Sequence, residues 1–162
     1  MTVTLPEREE MTKYLRLCIK IAHRARENGH HPFGSVLVGP DGQLILQHAN
    51  YGPVFHAESE LVRVAVNNYS LDFLSKCILY TSVEPCCMCA GTCYWANIGA
   101  VVFGMDESSL HALTGNSKEN PTMQLPCREV FKRGSRDIQV VGPFPELIDE
   151  IAQDHRDFWA SH

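Results

Sequence analysis

The apolar positions recur first at helical intervals. In EREEMTKYLRLCIKIAHRAREN, Met11, Tyr14, Leu15, Cys18, Ile21, Ala22 and Ala25 fall on one stripe, and Gly29 follows as a stop. This spacing predicts an amphipathic helix lying on a core. The pattern then changes period: GSVLVGPDGQLILQHA is two short β-rich runs around Pro40-Asp41-Gly42, which predicts a hairpin. HAESELVRVAVNNY returns to helical spacing through Leu61, Val62, Ala65 and Val66, and KCILYTSV is an almost continuous apolar run expected of a buried central strand. A second buried helix is expected from Cys86 to about Ala96, and GAVVFGM returns to strand. DESSLHALTGNSKENPTMQLP, with its Gly, Asn, Ser and two prolines, reads as a long loop; a loop of that length within a compact domain is often functional. REVFKRG, DIQVVGP and PELIDEIAQDHRDFW complete the chain as short helix, strand and closing helix. The order predicts an α/β fold with one sheet of about five strands and helices on both faces.

Composition narrows the class. The 162 residues, 44% apolar and 20% charged, are expected to fold as one domain spanning 1–162. No apolar run approaches the roughly 18 residues of a membrane span, and the acidic, amphipathic start is unlike a signal peptide. A cytoplasmic protein is expected. A net charge of −5 weighs against a broad basic face for a polyanion.

The seven cysteines are an odd number and do not read as a secreted disulfide framework. Four of them crowd into VEPCCMCAGTCYW, where a redox pair, a structural metal knot and a catalytic metal site compete. Cys86 and Cys89 stand at the C-x-x-C spacing that supplies two zinc ligands from one face of a helix start. Upstream, His56-Ala57-Glu58 opens the preceding helix and offers an imidazole and a carboxylate. Two thiolates and a neutral imidazole balance the charge of a zinc ion, and three protein ligands leave a position for water. Glu58 is then the proton carrier. Cys18, Cys77, Cys87, Cys93 and Cys127 read as small buried hydrophobes.

Together, His56-Ala57-Glu58 and Pro85-Cys86-Cys87-Met88-Cys89 have the form of the zinc deaminase signature. Along with PFGSVLV, HAESELVRVA and LYTSVEPCCMCAGTCYWANIGAVVFG, they make the chain resemble the cytidine deaminase superfamily from about residue 10 to 104, within its guanine deaminase, tRNA adenosine deaminase and fungal cytosine deaminase branch. The resemblance implies a three-layer α/β/α sandwich with a mixed sheet of about five strands, one zinc per chain, hydrolytic loss of ammonia from an amino-substituted nitrogen ring, and a homodimer. It also implies substrate contacts from Asn50, the Ala57 backbone and Phe33, with Trp95 against the ring or the core. Aromatic residues near the C-terminus often close the pocket in such relatives, which nominates Phe158 and Trp159, with Asp157 beside them. His48 and His111 lead the remaining histidines. Two features depart from the pattern: only Tyr51–Phe55 separate Asn50 from His56, and the stretch 105–126 is long and could form a lid. The expected substrate is a free nucleobase or nucleoside, guanine or a related aminopurine first, cytosine second, and an amino-triazine or pterin-like ring third. A tRNA substrate ranks below these because 14 basic residues face 19 acidic ones.

Overall fold

In the computed structural model, whose described residues are 3–115 and 117–161, the elements run α1 (Arg8–Glu27), β1 (Gly34–Val38), β2 (Leu44–Ala49), α2 (Ala57–Asn68), α3 (Leu71–Leu74), β3 (Ile78–Val83), α4 (Cys87–Trp95), β4 (Ala100–Met105), α5 (Glu107–Thr114), α6 (Cys127–Lys132), β5 (Gln139–Val141) and α7 (Ile148–Trp159). A 3-10 turn, Pro145–Leu147, leads into α7. The sheet order is β2-β1-β3-β4-β5. β1 pairs antiparallel with β2 and β3, while β4 runs parallel to both β3 and β5.

Alternation along the strands gives each face its own core. Val36, Ile78, Tyr80 and Val102 join residues of α1, α5 and α7 on one face. Leu37, Leu79, Val101 and Phe103 join α2, α3, α4 and α6 on the other. The three-layer sandwich and mixed five-stranded sheet are therefore as the sequence predicts. β1, β3 and β4 are buried along their whole length, whereas β2 is half exposed at the sheet edge. Gly34 lets α1 approach β1 closely, since a Cβ there would stand 2.4 Å from the Cys18 carbonyl oxygen.

Four details differ from the sequence expectation. The stretch expected to be one long loop is helical over Glu107–Thr114 and irregular over Ser117–Pro126, and Gly115, with a φ of +58°, ends α5. Serine, histidine and threonine are weak helix formers, and what holds α5 is tertiary: Leu110 and Leu113 join the α1/α7 core. Val66 points outward at 40% exposure rather than into the core. The short α3, capped by Ser70 accepting from the Phe73 N–H, was not foreseen. All seven cysteines are free thiols; Cys18, Cys77, Cys93 and Cys127 are buried as expected, but Cys87 is only half-buried. Among the described residues, no helix is long and apolar enough to cross a membrane.

Candidate active site

β3 delivers the chain to α4, and the loop after β2 delivers it to α2 on the same face of the sheet. The first turns of the two helices meet. His56 is the N-cap position of α2 and Cys86 that of α4, and neither helix has a side-chain cap. Their orphan N–H groups leave two positive helix ends at one spot, a setting that favours thiolate and carboxylate.

The three donor atoms form a compact triangle. His56 Nδ1 lies 3.4 Å from Cys86 Sγ and 3.6 Å from Cys89 Sγ, and the two sulfurs are 3.7 Å apart. A tetrahedral zinc with bonds of about 2.3 Å to sulfur and about 2.0–2.1 Å to nitrogen has S···S edges of about 3.8 Å and S···N edges of about 3.6 Å. The triangle therefore has the dimensions of one face of a zinc site, and the fourth corner receives no ligand from the set that could hold a metal. His56 Nε2 lies 3.0 Å from the Pro53 carbonyl oxygen. Donation there places the proton on Nε2 and leaves the Nδ1 lone pair facing the sulfurs, the arrangement a metal requires.

Electrostatics follow from this crowding. The Cys86 thiol is held well below the usual range, first by the hydrogen bond with Cys89 and then by His56. The same hydrogen bond and burial push Cys89 the other way. The Cys86 sulfur in turn raises His56 to about 9. Such a set sheds protons when a dication replaces them.

Glu58 completes the centre. It is 4% exposed, accepts a hydrogen bond from the Thr81 hydroxyl at 2.6 Å, and its other oxygen lies 3.5 Å from Cys89 Sγ. Burial raises its pKa, an effect that the Thr81 bond opposes. Thr81 is itself fixed by accepting from the Ser35 hydroxyl across β1–β3.

A small, partly enclosed cavity of about 30 Å³ adjoins the triangle, lined by Phe33, His56, Glu58, Val83, Glu84, Cys86, Glu107, Leu110 and Asn120. The structure thus brings together Phe33, His56, Glu58 and Cys86 from the sequence expectation. Ala57 and Cys89 are buried beside them in the first turns of α2 and α4. Asn50 is buried at the end of β2, donating its backbone N–H to the Phe33 carbonyl and accepting from Gly52 N–H through Oδ1. Phe158 and Trp159 are one layer further out. His31 packs edge-on to both, Trp159 donates to His155 Nδ1, and His155 contacts the Phe33 ring at 5.0 Å. They brace the wall that Phe33 forms. Trp95 departs most from the expectation. It is 83% exposed and lines an apolar groove on the outer face of α2 and α4, with Val62, Val66, Leu71 and Met88.

Four residues of the site were not singled out from sequence. Thr81 orients Glu58; the signal was a hydroxyl in an otherwise apolar strand. Glu84 accepts the backbone N–H of both Glu107 and Cys127, so one buried carboxyl group caps α5 and α6. Glu107 lines the cavity, and burial, followed by its neighbours Cys86, Glu58 and Glu84, pushes its pKa up to about 8. Asn120 comes from the irregular stretch that crosses the cavity mouth, which is tied down by His31 Nε2 to Glu119 at 3.5 Å and Cys87 Sγ to Met123 Sδ at 3.4 Å.

Residues 8–105 match the family described as the cytidine and deoxycytidylate deaminase zinc-binding region. A probable cytosine deaminase of Schizosaccharomyces pombe is 37% identical over 155 residues, 93% of each chain. The guanine deaminase of Bacillus subtilis is 40% identical over 82 residues, 48% of this chain and 52% of that protein. A solved structure of guanine deaminase from Nitrosomonas europaea shares the fold, with a TM-score of 0.66 and 24% identity over 98% of this chain and 87% of that one. With its two-part His-Ala-Glu and Pro-Cys-x-x-Cys centre inside the matched region, this chain belongs to the zinc-binding cytidine and deoxycytidylate deaminase family.

Proposed function

We propose that this protein is a zinc-dependent deaminase that hydrolyses the exocyclic amine of a free nucleobase: water adds to the amino-bearing ring carbon, ammonia leaves, and a carbonyl remains. One observation carries the reading, namely the His56–Cys86–Cys89 triangle with zinc-site dimensions and a buried carboxyl group 3.5 Å from one of its sulfurs. His56, Cys86 and Cys89 hold the metal, which supplies Lewis-acid activation of water at neutral pH. Glu58 then does the proton work. It removes a proton from the attacking water, passes it to the adjacent ring nitrogen, and later delivers a proton to the departing amine. Thr81 fixes the Glu58 carboxyl so that one oxygen stays free to turn between these partners. Phe33, braced by His155, Phe158 and Trp159, supplies an apolar wall for the ring, with Asn50 held against the Phe33 backbone as a polar neighbour.

The cavity has room for a water or two and none for a heterocycle. The stretch from Ser117 to Pro126, carrying Asn120, therefore acts as a lid that moves to admit substrate. A cytosine-type aminopyrimidine is the preferred substrate. What supports it is the Schizosaccharomyces pombe relative, which aligns over 93% of the chain and so includes the lid and α7. Guanine is the second reading, supported by the higher local identity to the Bacillus subtilis enzyme around the centre. The exposed apolar groove with Trp95 supports a homodimer formed through the outer face of α2 and α4. Seven unpaired thiols support a reducing, cytoplasmic setting for this one-domain enzyme.

The test is an ammonia-release screen of the zinc-loaded protein with cytosine, guanine, adenine, cytidine, guanosine, amino-triazines and a tRNA transcript. Turnover of a free base, cytosine foremost, is expected. Release of ammonia from tRNA alone would replace this reading.

A further inference from the structure

A second carboxyl group shares the cavity with Glu58. Glu107, at the start of α5, is 7% exposed and lines the same cavity as His56, Glu58 and Cys86. Its backbone N–H is taken by Glu84, but its side-chain Oε2 is buried with no hydrogen-bond partner among the described residues. Folded proteins seldom leave such an oxygen unpaired, because nothing repays its desolvation. The neighbouring polar groups make their bonds elsewhere. Glu84 spends both oxygens on the N–H groups of Glu107 and Cys127, Thr81 holds one oxygen of Glu58, and Asn120 donates to Thr122 Oγ1 at 2.8 Å. An unsatisfied acceptor in a small cavity beside a catalytic centre is a place where a ligand supplies the missing donor.

We propose that Glu107 is a specificity-determining residue whose carboxyl group accepts an N–H of the substrate ring, at the nitrogen that carries the sugar in the corresponding nucleoside. The inference rests on the deaminase reading above and deepens it. The reacting carbon and its amine must sit at Glu58 and the donor triangle, so the rest of the ring falls between Phe33, Leu110 and Glu107. Free cytosine presents N1–H across the ring from the amine that is lost, and free guanine presents N9–H on its five-membered ring, beyond N3 on the side of the 2-amino group. A sugar or methyl group there removes the donor and adds bulk. It would also leave Glu107 buried and unpaired, which is how a hydrogen-bonding site rejects an analogue that lacks the hydrogen.

The experiment measures kcat/KM by ammonia release for cytosine against 1-methylcytosine, and guanine against 9-methylguanine, with cytidine and guanosine alongside. It compares the wild type, Glu107→Met and Glu107→Gln, each checked for zinc content. The wild type should favour the N–H base over its methylated partner by about 100-fold or more. Glu107→Met should lose about 10- to 100-fold on the N–H base and little on the methylated one, so that the ratio collapses. Glu107→Gln, which keeps an acceptor oxygen, should recover part of it. Zinc content should not change, and the melting temperature of Glu107→Met should equal or exceed that of the wild type, because an unpaired polar group has been removed. A ratio unchanged in Glu107→Met, or equal losses on both bases with a lower melting temperature, would assign Glu107 to structure instead. Turnover of nucleosides but not bases overturns the role of Glu107 and leaves the deaminase reading standing. Turnover of none of them, with zinc bound, removes that reading and this one with it.

Discussion

The two regions that meet at the cavity are built on opposite terms. In the α2–β3–α4 half, the functional side chains are held on several sides. Glu58 is bonded by Thr81, Thr81 by Ser35, His56 by the Pro53 carbonyl, and the two thiols by each other. Buried polar atoms are left over elsewhere: Tyr80 Oη on the α1 side of β3, His155 Nε2 in α7, and three along α5, in the α5–lid half. Glu107 Oε2, His111 Nδ1 and Thr114 Oγ1, at helical spacing along α5, have no partner among the described residues. Preorganised, satisfied groups suit chemistry that must not vary, whereas the unsatisfied Glu107 oxygen lining the cavity suits recognition of a molecule that brings its own donor. On the proposed function, the first half would carry the reaction and Glu107 in the second the choice of substrate.

The deepest way to break the first half is to remove a ligand. Cys86→Ala leaves two donors for the metal, and the protein should lose its zinc and roughly 5 kcal/mol or more of stability, read by metal analysis and thermal melting. One equivalent of zinc still bound after the change would contradict the ligand set. The seam between the halves comes next. Glu84→Ala strips the shared cap from α5 and α6, leaving two buried N–H groups unpaired. It should cost about 2–5 kcal/mol in denaturant unfolding and loosen the lid to hydrogen exchange, while α2 and α4 remain protected. Uniform loss of protection would erase the distinction between the halves.

The aromatic brace behind Phe33 gives a pH test. Burial holds the His155 imidazole down to about 4, whereas the unfolded chain protonates it near 6.5. Because the folded value is depressed, the unfolded chain takes up a proton that the folded chain refuses as pH falls. Stability from this group is complete above pH 6.5 and drains away toward pH 4. Between pH 7.5 and pH 5 it amounts to about 2 kcal/mol. His155→Gln should therefore flatten the melting temperature over that interval, and an unchanged slope would mean that other groups set it. The smallest effect is expected at Trp95, which is 83% exposed. Trp95→Ala should change the stability of a single chain by less than about 0.5 kcal/mol, yet shift sedimentation toward monomer if the groove is the dimer contact.

What could be read from sequence follows the same division. The α1 stripe from Met11 to Ala25, the hairpin around Pro40-Asp41-Gly42 and the buried strand KCILYTSV are visible because local period and burial agree there. His56, Glu58, Cys86 and Cys89 were legible because their chemistry restricts the residue types at fixed spacing. α5 was not legible, since Ser108, Ser109, His111 and Thr114 argue locally for a loop and the helix depends on Glu84, which lies 23 residues away from Glu107 in the chain. Trp95 was misplaced for a related reason. Position after the zinc helix suggests the pocket, but the helix turns that side chain to the outside, and only three-dimensional placement reveals it. Glu107 gave no periodic or motif signal, since its role depends on what surrounds it.

The central claim is that three side chains hold the metal while one separate carboxyl group moves the protons. Glu58→Gln tests it most directly, with zinc content and turnover measured on the same sample. The account predicts about one zinc per chain, as in the wild type, with kcat lower by about 100- to 10,000-fold. Wild-type turnover in a zinc-replete Glu58→Gln protein would contradict it.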